Sequence, residues 1–280
     1  MKIVFPNKKQ LDEQYKKEHP ADFMTHLNYV SCLNDLSKSL VVKCNINLKN
    51  RLPETKNLSK KIRLINLVKR NLDEEYKLIL RDPGFAEICV PWIAVKSYYL
   101  FFNLFLTLEY LITGEERSFF NSHHGVLENL KRHIRNKELE FNKTQFNKIY
   151  KGGSILKWKA KPHANIKITS PNTQERFFQI IKILMRYYIE DFKRKEKLKT
   201  LNCKKGKSFL NKSNINICEF FYWYRIKSNY RDLEFLDKDI SDDWFSDFYR
   251  NYFELTSNFY KTIQNLINNL SKIRLNKMVL

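Results

Sequence analysis

Apolar residues recur along most of this chain at three- and four-residue steps, the spacing that gathers side chains on one face of an α-helix. The first clear stretch runs from about Ser59 to Leu80, where Ile65, Val68, Leu72, Tyr76 and Ile79 form a stripe and Ser59 is placed to cap it. Asp82-Pro83-Gly84 then breaks the chain. Pro91 to Ile112 is apolar nearly all round, the pattern of a central helix covered on several sides, and Thr113-Gly114 ends it. Ser122 is positioned to cap a further helix to about Asn136. Thr173 opens another to about Lys197, with Phe177, Ile181, Leu184, Tyr188 and Phe192 on its inner face. The last begins at Ser241, with Asp242 and Asp243 at the positive end of its dipole and Ile240 placed to pack on Phe245. Phe245, Phe248, Tyr252, Phe259, Ile263, Leu266 and Leu270 carry its stripe for about eight turns. A helix of that length either crosses a whole domain or pairs with a second subunit.

One segment departs from this texture. From Lys151-Gly152-Gly153 onward the chain reads as short β-prone pieces, Ile155 to Lys159 and Asn165 to Thr169, separated by Lys161-Pro162-His163. The expected fold is therefore all-α. It has an N-terminal helical extension over residues 1–84 and a main helical domain over 85–280, with a small β-prone insertion at about 151–214.

Composition agrees with that expectation and narrows the function. Six Gly and seven Pro are too few for a turn-rich sandwich or barrel, and no glycine fingerprint for a nucleotide loop is present. A formal charge of +21 predicts a polyanionic partner: RNA, DNA or an acidic protein. The longest apolar run, Ser97 to Leu108, is interrupted by Asn103 and too short for a bilayer. With no secretory leader after Met1, a cytoplasmic protein away from membranes is expected. The five cysteines form no close pair and the six histidines no ligand-spaced pair with a carboxylate. Reduced thiols, no metal and no cofactor are expected.

Two stretches carry candidate chemistry. Between Lys193 and Lys212 a single acid, Glu196, stands against nine cations. Lys193, Arg194, Lys195, Lys204, Lys205 and Lys207 are read as a polyanion contact, although such runs also serve as solvated tethers. Immediately after it, Phe220 to Trp244 begins as a helix. There Ile217, Phe220, Phe221 and Tyr224 form a buried stripe, while Arg225, Asn229 and Asp232 share a polar face. Lys227 and Arg231 add cations beside that face.

Three segments in order resemble the HEPN proteins that accompany small nucleotidyltransferases. Lys96-Ser97-Tyr98-Tyr99, with Phe102 behind it, is similar to their paired-tyrosine first helix. Ser122-His123-His124-Gly125-Val126 is similar to the Ser-His-x-Gly-Val opening of their second, and Tyr224 to Leu233 to their Arg-x-Arg-Ala-Asp-Tyr-x-Asp segment. The resemblance covers roughly Pro91 to Ile273, broken by the insertion. It implies an antiparallel helical bundle of HEPN type that dimerises, and it implies relatives that act as metal-independent RNases in toxin–antitoxin or antiviral systems.

Catalytic members carry Arg, four to six residues, then His. Here Arg225 is in place, but Tyr230, Arg231 and Asp232 occupy the positions of that His. Cleaving RNA without a metal takes a group that accepts the 2′-hydroxyl proton and a cation for the phosphorane. Arg225 can supply the cation, whereas Tyr230, with an ordinary pKa near 10, is a poor base. Arg117 and His123 also match the catalytic spacing, but in the family that segment opens the second helix, so His123 is expected at a helix start or an interface. The candidate site is thus Arg225, Asn229, Tyr230 and Asp232, with His123. The expected function is RNA engagement of a bacterial defence or toxin–antitoxin type with a degenerate or non-standard nuclease motif. An active metal-independent endoribonuclease is one alternative. The other is a structural subunit whose basic surface docks an acidic partner protein. RNA, a nucleotidyltransferase-type partner and a second copy of the chain are the expected partners.

Overall fold

A computed structural model describes residues 23–116, 122–157, 173–230 and 242–276. Among these the chain forms ten helices and two small two-stranded sheets, the all-α architecture expected. The helices are α1 (Phe23–Ser37), α2 (Thr55–Arg81), α3 (Phe85–Thr113), α4 (His123–Arg135), α5 (Thr144–Asn147), α6 (Gly152–Ile155), α7 (Thr173–Lys195), α8 (Lys204–Lys212), α9 (Glu219–Tyr230) and α10 (Asp242–Asn276).

The centre is α3. It packs against α2, α9 and α10, and α1 packs against α10 and α7. Its residues Ile93, Leu100, Leu104, Leu108 and Leu111 are all buried, as an all-round apolar sequence requires. The helix is longer than the apolar run within it, starting a turn and a half before Pro91, which sits inside it. By length and hydropathy it would span a bilayer, so shortness is not what keeps it in a core. Covering by neighbours is: 61% of its most apolar window is buried within the protein. Gly114 ends it in the left-handed conformation at φ 68°, where its N–H bonds Tyr110 O. A side chain there would also strike the Arg51 carbonyl, 2.1 Å from the position of a Cβ.

The other helices follow their apolar stripes with adjusted ends. Helix α2 begins at Thr55 with Glu54 at its cap position, one turn ahead of Ser59, and buries Leu58, Ile65, Leu72 and Ile79 against α3. Helix α4 is capped as expected, the Ser122 hydroxyl accepting from Gly125 N at 2.9 Å. Every residue of the α10 stripe is buried, and the helix crosses the domain along α3, α1 and α2. Ser241 and Ile240 at its entry lie outside the described residues. Residues before and after the Asp82-Pro83-Gly84 turn share one hydrophobic core, Leu27, Leu33 and Ile65 with Ile93 and Phe259 among them.

The two sheets close loops. Val42–Cys44 (β1) pairs antiparallel with Leu139–Phe141 (β2), a ladder the hydrophobic pattern does not announce. Tyr150–Lys151 (β3) pairs with Asn214–Ile215 (β4), in the register Tyr150 with Ile215 and Lys151 with Asn214. The chain thus leaves the bundle at Tyr150–Lys151 and returns at Asn214–Ile215, at neighbouring points. Gly152 stands at that root, where a Cβ would meet Ser213 Oγ at 2.2 Å. Of the two expected β-prone pieces, residues 155–157 lie in or just after α6, and the rest falls outside the described residues. The basic run, readable as a tether, is instead largely helical, ending α7 and forming α8.

Candidate functional site

Helix α9 is a wall of aromatics in which Phe220, Phe221, Tyr222, Trp223, Tyr224 and Arg225 are consecutive and all buried. A single stripe would leave half of them exposed. They are covered because α9 is wedged between α3 and α7, with Phe101 stacked on Phe221 at 4.9 Å and Tyr188 edge-on to Trp223 at 5.7 Å. Its first turn is tied to α4 by the buried Lys131 ammonium, which meets Glu219 at 3.1 Å and the Asn214 carbonyl at 3.0 Å. Farther along, the Tyr222 hydroxyl meets His124 at 3.2 Å, which holds the Arg225 part of α9 against the start of α4.

Arg225 is 8% exposed and lies over two rings, with its guanidinium carbon 4.9 Å from the centre of Tyr98 and 5.4 Å from that of Tyr222. Both rings attract the cation through their faces. Its Nε is buried without a hydrogen-bond partner among the described residues, and it has no carboxylate partner among them. The cost of removing a charge from water is thus only partly offset, and an anion would complete the compensation.

His123, the first residue of α4, shares that aromatic nest, 5.2 Å from Tyr98 and 5.0 Å from Phe102 between ring centres. Its Nδ1 is 2.6 Å from the Tyr98 hydroxyl. Burial pushes the Tyr98 pKa up against the pull of Arg225, so the phenol keeps its proton. Tyr98 is 1% exposed and its proton has no other acceptor among the described residues, so Tyr98 donates to Nδ1. Burial lowers the His123 pKa, and Arg225 and His124 lower it further, so the ring is neutral near pH 7. A neutral ring that accepts at Nδ1 carries its proton on Nε2. His124 bonds the Tyr222 hydroxyl through its own Nε2 at 3.2 Å and is also held below its ordinary pKa, by burial first and then by Lys195.

The site therefore offers donors: a buried guanidinium and an imidazole N–H. Such a pair suits a phosphate oxygen. Among the described residues it lacks an obvious base, because the His123 nitrogen left without a partner is the protonated one.

Of the expected site residues, Arg225 and His123 come together, joining the three quoted segments at one place. Asn229, Tyr230 and Lys227 belong to the last turns of α9, but their side chains lie outside the described residues, as do Asp232, Arg231 and Arg117 altogether. Lys193, Arg194 and Lys195 end α7, where Arg194 and Lys195 pair with Asp191 at 2.7 and 2.6 Å. Lys204, Lys205 and Lys207 are exposed on α8. Tyr98 and Tyr222 are site residues that the sequence reading leaves out. Tyr222 precedes Arg225 by three positions on one helix, a spacing that puts both on one face and that signals the contact. No family model, curated protein or solved structure matches this chain.

Proposed function

We propose that this chain binds RNA and holds a backbone phosphate between Arg225 and the Nε2–H of His123, without cleaving the strand by arginine–histidine chemistry. The observation that carries this reading is the Arg225 guanidinium, buried on two tyrosine rings with an unpartnered Nε and beside a neutral, proton-donating imidazole. The formal charge of +21 supports a polyanion over a neutral ligand. The resemblance to HEPN proteins supplies RNA as that polyanion, a toxin–antitoxin or defence setting, and a nucleotidyltransferase-type partner.

The same resemblance brings a homodimer, and a face of α3 fits it. Ile88, Trp92 and Tyr99 follow one another along the outside of that helix at 64%, 56% and 41% exposure. Tyr99 also lies 6.3 Å from His123, so a second copy seated there would abut the phosphate site.

The test is binding of a fluorescent single-stranded RNA, in chelator, to wild-type protein and to Arg225→Ala. Affinity should fall by about tenfold in the variant, the worth of a charge-assisted hydrogen bond. Intact RNA after incubation with wild-type protein is expected. Cleavage that the wild type performs and the variant does not would replace the binder with an endoribonuclease.

A further inference from the structure

Resting on that reading, we propose that the end of α7 and helix α8 form a base-binding subsite for the same RNA strand. A nucleobase extends the stack of Phe192 and Phe209 at its outward face, and the neighbouring phosphates meet Lys204 and Lys212.

The insertion carries a shallow pocket of about 540 Å3 lined by Phe192, Phe209, Lys204, Lys205, Ser208 and Lys212, with no carboxylate among these residues. The two phenyl rings stack at 3.9 Å with planes 9° apart, and both are half-buried. Each ring covers one face of the other, so the pair gives the pocket an apolar floor of ring edges and an outward face, set among lysine side chains. A merely solvated basic helix has no use for such a floor, and an apolar peptide would not favour a rim of lysines. A nucleotide has both parts, a π-face for the rings and a charge for the lysines.

The local acids are already engaged. Asp191 takes Arg194 and Lys195, and Glu196 takes Lys205. Lys204, Lys207 and Lys212 remain without a carboxylate among the described residues, available to phosphates.

A row of packed rings, buried at Trp223 and Tyr222, links the floor of this pocket to the phosphate site. Phe209 lies 5.1 Å from Tyr188, Tyr188 lies 5.7 Å from Trp223, and Trp223 lies 5.1 Å from Tyr222, whose ring covers Arg225. Lys195 lies close enough to His124 to depress its pKa, which brings the charge of α7 to the edge of the same site. In this proposal one strand runs from Arg225 past the end of α7, where Lys195 lies, onto α8.

The experiment compares a fluorescent oligouridylate with a strand of equal length in which the bases are absent and the ribose-phosphate backbone is kept. Wild-type protein should bind the base-bearing strand about tenfold more tightly, the scale of one stacked base. Phe209→Leu, which keeps an apolar side chain against Tyr188, should abolish that preference and leave backbone binding unchanged. The exposed pair Lys204→Glu and Lys212→Glu should weaken both strands without loss of helical signal. Equal affinity of Phe209→Leu and wild-type protein for the oligouridylate overturns the subsite, whether or not Arg225→Ala reduces binding. Failure of wild-type protein to bind either strand overturns both the subsite and the RNA reading on which it rests.

Discussion

The Tyr98 hydroxyl and His123 Nδ1, 25 residues apart in the chain, lie 2.6 Å from each other, and this contact determines which nitrogen of the imidazole bears the proton. A phenol whose pKa is raised by burial donates and the ring accepts, so Nε2–H remains for a ligand. The same bond joins α3 to the start of α4 and sets the ring under the influence of Arg225.

His123 should titrate below the ordinary histidine range. Burial is the main cause and the Arg225 charge the next, so Arg225→Gln should move the midpoint back upward without restoring it fully. A histidine with a lowered folded pKa binds fewer protons in the folded state than in the unfolded one. Its contribution is full above the ordinary range and falls as pH drops through it. Proton-detected titration of the imidazole in both proteins checks the shift. An unchanged midpoint would show that Arg225 does not act on the ring.

His133 should make stability fall on the alkaline side. It is 3% exposed and bonds Glu109 through Nε2 and Glu138 through Nδ1, each at 2.5 Å. Burial alone would lower its pKa, but the two carboxylates outweigh burial and raise it. The stabilisation is therefore complete below the ordinary histidine range and lost as pH rises through the raised folded value. His133→Gln should cost about 3 kcal/mol at pH 6, the scale of breaking a buried ion pair, and less as pH increases. Denaturant midpoints at several pH values measure this. A cost that does not vary with pH would mean that the ring is neutral throughout.

Arg274 should be among the most costly side chains to truncate. It is 1% exposed, and its guanidinium donates to Leu111 O at 2.8 Å, Ile112 O at 2.7 Å and Lys49 O. It thereby satisfies carbonyls at the C-terminal end of α3, where a cation also suits the helix dipole. Arg274→Ala should cost about 3 kcal/mol or more in chemical denaturation, and Arg274→Lys should recover only part because an ammonium cannot span the three acceptors. Equal stability of Arg274→Lys and wild type would show that charge alone matters.

Trp92→Glu should shift the protein toward monomer if the outer face of α3 holds a second copy, since Trp92 lies exposed between Ile88 and Tyr99. Sedimentation velocity reads the outcome. A change in RNA affinity measured alongside would couple the dimer to the phosphate site, and an unaltered sedimentation coefficient would remove this face as the interface.

The RNA affinity of wild-type protein should fall steeply between low and physiological salt, and Arg225→Ala should reduce the slope of log affinity against log salt by about one. Parallel slopes would place the phosphate elsewhere.

What the sequence by itself determined is the set of elements whose causes are local. The α3 pattern announces a buried helix because apolar residues surround it. The α10 stripe places Phe245 to Leu270 in the core because a helix repeats every 3.6 residues whatever it packs against. Helix starts are less well encoded. The α2 start moves to Thr55, because packing of Leu58 on the core extends the helix beyond the residue best able to cap it.

The site was decided by tertiary structure. Tyr98, His123 and Arg225 come from three helices, and nothing local to any of them specifies that the phenol meets Nδ1 or that the guanidinium lies on two rings. Those relations depend on how α9 is rotated against α3 and how closely α4 approaches both. Packing of side chains far apart in the chain fixes these quantities, and helical periodicity does not contain them. The same reason hides Arg274. Its charge reads as surface in the sequence, and only the meeting of α10 with the end of α3 turns it into a buried clasp.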